Sequence, residues 1–397
     1  MNKVELLAPA GDWECLEAAA NFGADAVYMG GDLLQLRAKK AGFAREDIKK
    51  AADFLHARGK RLFVTVNSFA KNDEIAQCAP YARFLSDAGV DAVIISDMGV
   101  MAEFAAAAPE LERHVSTQAN CTNYRTAQLW ANLGAKRIVL ARELSIDEIR
   151  ELRQKLDPSV ELEAFVHGAM CMSYSGRCMI SSFLTSRSAN RGECSQPCRW
   201  SYSLMEKTRP GEYFAVEETE NGTAILSSHD LCAIDFLDEL SDAGIVSFKI
   251  EGRMKSSYYV ATAVNAYRKA IDKTLSIEQC RAELECLQHR PYTSGFYYGD
   301  LKEKHYNDGK YISSAKFMAN VLSWENGVLK LRQRNNFKVG DTLEVLSPKV
   351  GPISIKVEYI ENEEGIRQEA APHPNQTVFI PCETELFAGD MLRRREV

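Results

Sequence analysis

The sequence contains no hydrophobic run long enough to cross a bilayer. A transmembrane helix needs about 20 consecutive apolar residues, and the most apolar stretch, residues 92–108, is interrupted by Asp97 and Glu103. The residues that follow Met1 also lack the apolar core of a secretory signal peptide. We therefore predict a cytoplasmic protein without membrane spans. With 46% apolar and 26% charged residues, the chain can bury a large core, which excludes disorder as its dominant state.

An excess of positive charge is also lacking. The 48 basic residues are outnumbered by 55 acidic residues, which gives a net charge of −7. A protein that binds polyanions over its whole surface is normally basic, so any contact with nucleic acid has to come from a local patch. The sequence contains neither the HExxH motif of metalloproteases nor the GxSxG motif of serine hydrolases. It also lacks the glycine-rich GxGxxG loop that binds dinucleotides.

No CxxC pair is present among the 11 cysteines, although five of them lie within residues 171–232. An odd number of cysteines without an export signal does not predict a disulfide framework. Six cysteines outside this segment are expected to pack as small apolar side chains: Cys15, Cys78, Cys121, Cys280, Cys286 and Cys382. The five clustered cysteines are Cys171, Cys178, Cys194, Cys198 and Cys232.

Short apolar runs alternate with amphipathic helical segments through residue 250. This alternation predicts right-handed β–α–β crossovers and a parallel sheet. A glycine that ends a helix precedes a buried strand four times, at Gly23, Gly89, Gly134 and Gly244. Eight candidate strands favour a (β/α)₈ TIM-type barrel over an open doubly wound sheet. The strands are predicted at residues 5–10, 24–29, 61–66, 91–96, 115–118, 137–141, 161–166 and 246–250.

The alternation changes near residue 313 to short β-type runs with turn signals. We therefore predict a TIM-barrel-like catalytic domain over residues 1–312 and a small all-β domain, a barrel or a sandwich, over residues 313–397. Gly340-Asp341 and Gly389-Asp390 are each predicted to form a turn that enters a strand. Residues 200–226 are interpreted as an inserted hairpin over the mouth of the barrel.

The clustered cysteines begin directly after the seventh predicted strand, and catalytic groups of such barrels collect at the carboxyl ends of strands. Converging thiols suit a soft metal. Structural zinc sites use closely spaced CxxC pairs, whereas the gaps here are six, 15, three and 33 residues. An iron–sulfur cluster tolerates such irregular spacing and is the favoured prediction. A zinc site and ordinary packing of the thiols are the alternatives.

Three segments closely resemble peptidase family U32: residues 7–11 (LAPAG), 167–178 (HGAMCMSYSGRC) and 249–253 (KIEGR). Residues 116–120, 142–145 and 292–296 are also similar to that family. The resemblance covers essentially the whole chain, including the C-terminal β domain, and its central cysteine segment is very specific.

The family name implies a collagenase-like peptidase, but several members are RNA or quinone hydroxylation factors. Within the family, the motifs are most similar to the group of tRNA hydroxylation proteins. The resemblance implies an enzyme that forms 5-hydroxyuridine at the tRNA wobble position, with a four-iron four-sulfur cluster and with prephenate as a required metabolite. The implied ligands are Cys171, Cys178, Cys194 and Cys232, with Cys198 as the alternative fourth ligand. Since some relatives act as heteromeric pairs, a non-catalytic iron–sulfur partner is a further alternative.

A local basic patch surrounds the cysteines. Between residues 171 and 210, six basic residues stand against two acidic ones, and aromatic residues lie among them. Such a surface can hold phosphates and stack an extruded base, which indicates contact with RNA, and the resemblance implies that this partner is tRNA. The alternative is a solvated loop whose arginines offset the charge of a cluster. The residues are Arg177, Arg187, Arg191, Arg199, Lys207 and Arg209, with Glu193 and Glu206, and with Tyr174, Phe183, Trp200 and Tyr202.

Peptidase chemistry would require a free nucleophile, and Cys171 with His167 is the candidate dyad. A thiolate bound to a cluster is not a free nucleophile, so we expect His167 to support the cluster or the substrate instead.

Strand alternation predicts that Lys249, Glu251 and Arg253 share one face. If that face is the barrel interior, Lys249 and Arg253 can clamp a small carboxylate such as prephenate, with Glu251 holding them in place. A buried ion network is the alternative, and Arg142 is open to the same two interpretations.

Overall fold

The computed structural model describes residues 4–36, 42–171, 173–200, 229–299, 311–351 and 353–396. Its first part is a closed ring of eight parallel strands, and the pairing of β7 with β9 completes the ring in the order β1-β2-β3-β4-β5-β6-β7-β9. The predicted TIM-type barrel is thus confirmed. The ring strands are β1 (Glu5–Ala10), β2 (Ala26–Gly30), β3 (Arg61–Val66), β4 (Ala92–Ile95), β5 (Glu112–Val115), β6 (Arg137–Val139), β7 (Glu161–Ala169) and β9 (Ile245–Ile250).

Seven of the predicted strands lie within a few residues of their observed positions, but the fifth was placed too late. β5 ends at Val115, and the Ser116 hydroxyl accepts a hydrogen bond from the amide of Gln118, which starts a 3₁₀ turn over Thr117–Ala119. A Ser side chain that bonds its own backbone competes with the strand ladder. The predicted strand residues 116–118 therefore form a polar loop at the carboxyl end of β5.

Helices cover the outside of the ring, as the predicted β–α–β crossovers require. The segment between β3 and β4 contains two helices, and Pro80 lies in the first turn of the second, where its missing amide hydrogen is tolerated. The helices are α1 (Trp13–Asn21), α2 (Arg45–His56), α3 (Asn72–Ile75), α4 (Cys78–Asp87), α5 (Met98–Ala107), α6 (Tyr124–Asn132), α7 (Ile146–Lys155), α8 (Ile180–Thr185), α9 (Leu237–Asp242), α10 (Ser257–Ile271) and α11 (Ile277–Leu284).

The four repeated glycines lie where the sequence predicts. Gly23, Gly89, Gly134 and Gly244 have φ values of +109°, +82°, +91° and +98°, and each precedes a ring strand. This backbone region is costly for residues with a Cβ atom, which explains why glycine recurs at these helix-to-strand turns.

Two short strands lie outside the ring beside β7. β8 (Asp230–Cys232) runs antiparallel to β7 and pairs Cys232 with His167, and β10 (Tyr292–Thr293) runs parallel to β8. The predicted hairpin over residues 200–226 lies outside the described residues, apart from Trp200. No helix in the described ranges has both the length and the apolarity needed to cross a membrane.

The C-terminal part is an antiparallel sheet of eight strands with its own apolar core. Its order is β14-β13-β18-β11-β12-β17-β15-β16, and no pairing between its two edge strands occurs among the described residues. Gly340 and Gly389 have φ values of +91° and +95°, as expected for the predicted turns. The strands are β11 (Ala315–Glu325), β12 (Val328–Gln333), β13 (Thr342–Leu346), β14 (Ser354–Lys356), β15 (Ile360–Glu361), β16 (Arg367–Gln368), β17 (Thr377–Pro381) and β18 (Met391–Arg395).

The C-terminal sheet packs tightly on the barrel. Leu346 and Met391 belong to the hydrophobic core of the barrel rather than to that of the sheet. The guanidinium of Arg393, 1% exposed, binds Glu283 of α11 at 2.7 Å and Glu344 of β13 at 2.7 Å. These contacts join the two parts through both apolar burial and a buried ion network.

Candidate functional site

A cavity of about 200 Å³ opens at the carboxyl ends of the ring strands. Its floor comes from the strand ends, and one wall comes from the cysteine segment, residues 171–199. Catalytic groups of TIM-type barrels collect at this face, so the cavity is the candidate active site. Its side chains include Tyr28, Thr65, Asn67, Gln118, Arg142, Glu143, Phe165, Cys171, Tyr174, Cys178, Cys194, Cys198, Arg199, Lys249, Glu251 and Arg253.

Four thiols line this cavity: those of Cys171, Cys178, Cys194 and Cys198. Cys171 is exposed and the other three are half-buried. Burial raises the pKa of the Cys198 thiol; the neighbouring Arg199 opposes this rise, and the three other cysteines of the cavity add to it. A thiolate is stabilised once a metal binds it, so this set suits a soft metal centre.

These thiols share one wall of the cavity. Among the described residues, no group of three or more His, Cys, Asp or Glu side chains is placed to hold a single metal ion. A single zinc ion needs its ligands within about 2.3 Å of one centre, whereas a cluster binds each thiolate through a different iron. The four thiols are the residues that would hold such a cluster.

Cys232, predicted as the fourth ligand, lies behind this wall. It is buried in β8, and its Sγ is 3.8 Å from the hydroxyl of Tyr267. The structure thus brings Cys171, Cys178 and Cys194 together with Cys198, the alternative ligand, and places Cys232 outside the described cavity lining.

The cysteine segment is anchored to the barrel at several points. The Glu143 carboxylate accepts a hydrogen bond of 2.8 Å from the amide of Ser175, and the Arg191 guanidinium donates two of 3.0 Å to Glu74. Gly176, with φ of +72°, lies so close to the Gln118 carbonyl that an added Cβ would be 2.0 Å from its oxygen. The early end of β5 places that carbonyl here.

We expect Gly176→Ala to displace the cysteine segment. The methyl group would overlap the backbone of Gln118, which cannot rotate away as a side chain can. Gly59→Ala is the matched control, because Gly59 has φ of +66° and no atom within 4 Å of the added Cβ. The control should lose about 1 kcal/mol of unfolding free energy from its backbone conformation, and Gly176→Ala at least about 1 kcal/mol more. Urea unfolding measures the difference, and equal losses would contradict the close packing.

The predicted cationic residues line the opposite side of the cavity. Arg142 stacks on the Phe165 ring at 4.0 Å and donates to the carbonyl of Ala169 at 2.8 Å. One of its nitrogens lies 3.5 Å from Glu251, and its buried Nε has no hydrogen-bond partner among the described residues. An incoming anion can satisfy this donor, which favours the carboxylate interpretation of Arg142.

Arg253 and Lys249 are held rigidly. The Arg253 guanidinium donates to the Gln35 side chain at 3.1 Å and to the Thr65 hydroxyl at 2.8 Å. Lys249 is 4% exposed, and its ammonium group donates to Glu163 at 2.9 Å. Lys249, Glu251 and Arg253 all line the cavity, as the predicted common face implies, although β9 ends at Ile250 and Arg253 lies in the turn that follows.

A buried ion network continues below Lys249 toward the amino ends of the strands. Glu163 is fully buried and accepts from both Lys249 and Arg137, at 2.9 and 3.0 Å. Although burial alone would raise it, the charges of Lys249 and Arg137 lower the pKa of Glu163 to about 2. The second interpretation of Lys249, a buried ion network, therefore also holds, on the side that faces away from the cavity.

His167 does not share the cavity with Cys171. It is 1% exposed and lies between the rings of Tyr259, Tyr267 and Tyr292, whose centroids are 5.4 to 5.8 Å away. Burial lowers the pKa of His167 to about 3, so the ring is neutral near pH 7. Its bulged strand position turns it toward α10. The side chains thus do not form the predicted dyad.

The cysteine segment, which forms one wall of the cavity, carries exposed aromatic and apolar side chains. Phe183 is 87% exposed, and Tyr174, Met179, Leu184 and Trp200 are also exposed. Arg177 and Arg187 are exposed on the same segment. Of the predicted basic patch, Lys207 and Arg209, together with Tyr202 and Glu206, lie outside the described residues.

Sequence reasoning missed the floor of the cavity. Tyr28, Thr65 and Asn67 line it, from β2 and from the end of β3. The sequence did contain an indication of this floor, because polar residues at the carboxyl end of an otherwise apolar ring strand are expected at this face.

Comparison with known proteins adds independent information. Residues 11–307 match the profile of peptidase family U32, and residues 313–393 match that of the peptidase family U32 C-terminal domain. The tRNA hydroxylation protein P1 of Bacillus subtilis is 36% identical over 403 residues, which cover 99% of this chain and 95% of that protein. A 23S rRNA 5-hydroxycytidine synthase of Escherichia coli is 40% identical over 271 residues, 68% of this chain and 40% of that protein.

A third relative carries a different name. The collagenase of Porphyromonas gingivalis is 31% identical over 416 residues, which cover 99% of this chain and 98% of that protein. Similarity along the whole chain is therefore shared with proteins named for RNA hydroxylation and with one named for peptide hydrolysis, and the chemistry of the site has to choose between them.

Proposed function

The chain belongs to peptidase family U32, and from this premise we propose that it is an iron–sulfur enzyme of RNA hydroxylation. Its product is 5-hydroxyuridine at the tRNA wobble position, and prephenate is the metabolite that it requires. The observation that carries this proposal is the meeting of four thiols and four cationic side chains in one cavity at the carboxyl face of the barrel.

The thiols of Cys171, Cys178 and Cys194 hold the cluster, and Cys198 or Cys232 supplies the fourth ligand. When bound, a four-iron four-sulfur cluster supplies one-electron redox chemistry. The cysteine wall restricts water at this position, because three of its four cavity thiols are half-buried. Restricted solvent is one of the factors that set the potential of such a centre.

The cationic side of the cavity binds the carboxylate metabolite. Arg142 has a free Nε donor, and Arg253 is fixed by Gln35 and Thr65, so the two guanidinium groups are preorganised for carboxylate oxygens. Glu251 orients Arg142 through their contact at 3.5 Å. Lys249 adds positive charge at the floor.

The RNA approaches over the exposed aromatic residues of the cysteine segment. Aromatic rings stack on bases in single-stranded loops, at roughly 1–3 kcal/mol for each base, and Phe183 and Tyr174 are exposed on that segment. Arg177 and Arg187 supply charge for phosphates. Because these cations are local, the overall charge of −7 is compatible with an RNA substrate, and a tRNA substrate agrees with a cytoplasmic location.

The test is nucleoside analysis of tRNA from cells with and without the gene. We expect 5-hydroxyuridine and its derivatives to disappear from tRNA without the gene and to return with the wild-type chain. Arg253→Lys should restore 5-hydroxyuridine only weakly, since a lysine cannot reproduce the bidentate contact of a guanidinium group with a carboxylate. Unchanged tRNA in the deletion strain would overturn the assignment of tRNA, and hydroxycytidine missing from rRNA would redirect it to ribosomal RNA.

The second candidate function is peptide hydrolysis, and the collagenase relative favours it. The geometry of the described residues opposes it, because His167 faces α10 while Cys171 lines the cavity. If the purified protein cleaves gelatin, and if this activity is lost in Cys171→Ser but kept in the cluster-free protein, peptide hydrolysis is supported. The third possibility, a non-catalytic partner of a related chain, predicts that the purified chain alone leaves RNA unmodified.

A further inference from the structure

Lys249 combines three features that its role as a simple positive charge does not require. It projects from β9 into the floor of the cavity, it is 4% exposed, and its Nζ lies 4.4 Å from the centroid of the Tyr28 ring and 5.6 Å from that of Phe165. Its ammonium group donates to the buried carboxylate of Glu163 at 2.9 Å. A primary amine in such a desolvated pocket can act as a nucleophile toward carbonyl groups.

The surroundings of Lys249 indicate which carbonyl compound would fit. Arg142 and Arg253 line the same cavity, and both present guanidinium groups suited to a carboxylate. An amine at the floor beside two carboxylate-binding groups matches a molecule whose ketone is next to its carboxylate, which is a 2-oxo acid.

We propose that Lys249 forms a covalent imine with the ketone carbon of a 2-oxo acid bound in this cavity. This inference rests on the carboxylate-binding part of the proposed function, but not on the RNA reaction or on the cluster. It adds a covalent binding mode for the small metabolite.

The step balances without an oxidant or a reductant. The neutral amine of Lys249 adds to the ketone carbon, a carbon–nitrogen bond forms, and the ketone oxygen takes a proton. The hydroxyl group of the resulting carbinolamine takes up the proton that the ammonium group released before attack and leaves as one water, which gives the protonated imine. The proton that the ammonium group releases before attack first passes to solvent, and Glu163, at hydrogen-bond distance from Nζ, pairs with the positive charge of the imine.

The charge balance around Nζ favours release of that proton. Burial lowers the pKa of Lys249, although the nearby Glu163 carboxylate opposes this effect. Arg137 also binds Glu163, so part of the negative charge of that carboxylate is already neutralised. A larger fraction of the amine is therefore neutral than in an exposed lysine.

The test traps the imine in the full-length protein. The purified chain is incubated anaerobically with sodium pyruvate and cyanoborohydride, which reduces the imine to a stable carboxyethyl-lysine, and the modified peptide is identified by mass spectrometry. We expect one dominant adduct, at Lys249, and its loss in Lys249→Arg, which keeps the positive charge but cannot form the imine. Lactate, which has no ketone, should give no adduct.

Lys255 is an internal control. Burial also lowers its pKa, and its Nζ lies 5.1 Å from the Tyr259 ring, but it is not part of the cavity lining. We expect Lys249 to be labelled about tenfold faster than Lys255. Equal labelling of the two lysines would overturn the inference, because burial alone would then explain the reactivity.

Calorimetry of pyruvate binding separates the two proposals. If Arg253→Ala weakens pyruvate binding but no adduct forms at Lys249, the imine is overturned and the carboxylate site remains supported. If pyruvate neither binds nor forms an adduct, both the carboxylate site and the imine are overturned. An adduct at Lys249 in a protein that leaves tRNA unmodified would support the imine and contradict the proposed function.

Discussion

Replacing Cys171, Cys178 or Cys194 by alanine should each remove the iron from anaerobically purified protein and abolish RNA hydroxylation. A cluster bound by four thiolates loses most of its affinity when one ligand is missing, and these three thiols line a single cavity wall. The wild-type chain is expected to contain about four irons and about four sulfides, with a broad absorption band that bleaches on reduction. Iron and sulfide analysis with an optical spectrum measures the loss.

Cys15→Ala is the matched control, because Cys15 is buried in α1 and should keep both iron and activity. The pair Cys198→Ala and Cys232→Ala then identifies the fourth ligand. The cavity lining favours Cys198, whereas the family resemblance favours Cys232, and only the true ligand should lose the cluster. If the alanine variants of Cys171, Cys178 and Cys194 all retain their iron, the proposed cluster ligation is refuted. If the protein instead contains one zinc per chain, the site is a zinc site.

Glu163→Gln should destabilise the barrel by about 3 kcal/mol. The substitution keeps the size of the side chain but leaves Lys249 without its buried carboxylate, and removal of one partner of a buried ion pair typically costs about 3–5 kcal/mol. Arg137 retains Glu5 and Glu161, which places the expected loss at the lower end. The change in unfolding free energy is measured by urea titration at pH 7.

Glu161→Gln provides the comparison, because it removes another carboxylate partner of Arg137 whose side chain is 34% exposed. Its loss should be about 1 kcal/mol or less. The pKa of Glu163 is lowered from 4.5 to about 2, so its contribution is complete above pH 4.5 and is lost as the pH falls toward 2. The gap between wild type and Glu163→Gln should narrow over that range, and a constant gap would contradict a charged Glu163.

The sequence was sufficient for the barrel because its signals are local and repeated. Each helix-ending glycine and each apolar run marks one strand, and eight such strands have few ways to form a closed parallel sheet. The late placement of β5 has an equally local cause, the hydrogen bond between the Ser116 hydroxyl and the Gln118 amide. Apolar pattern alone does not report a side chain that bonds its own backbone.

The site was predictable where it depends on strand alternation and less so where it depends on loops. Lys249 lies in the cavity as alternation along β9 requires, and Arg253 reaches it from the turn beyond that strand. His167 does not line the cavity, because a bulge in β7 changes the face on which it lies. A bulge reverses alternation without a clear sequence signature. The choice between Cys198 and Cys232 depends on how a long segment folds back, which spacing does not determine.

The contact between the C-terminal sheet and the barrel has a consequence for synthesis. The ring can close once β9 has been made, but Met391 of β18, which belongs to the barrel core, follows the end of β9 by more than a hundred residues. At typical translation speeds this separation corresponds to a delay on the order of 10 s. During that interval the newborn barrel exposes the apolar surface that Leu346 and Met391 later cover. The barrel is thus synthesised first, but its core is completed only when the C-terminal sheet has been made. During this interval the barrel most needs protection from aggregation.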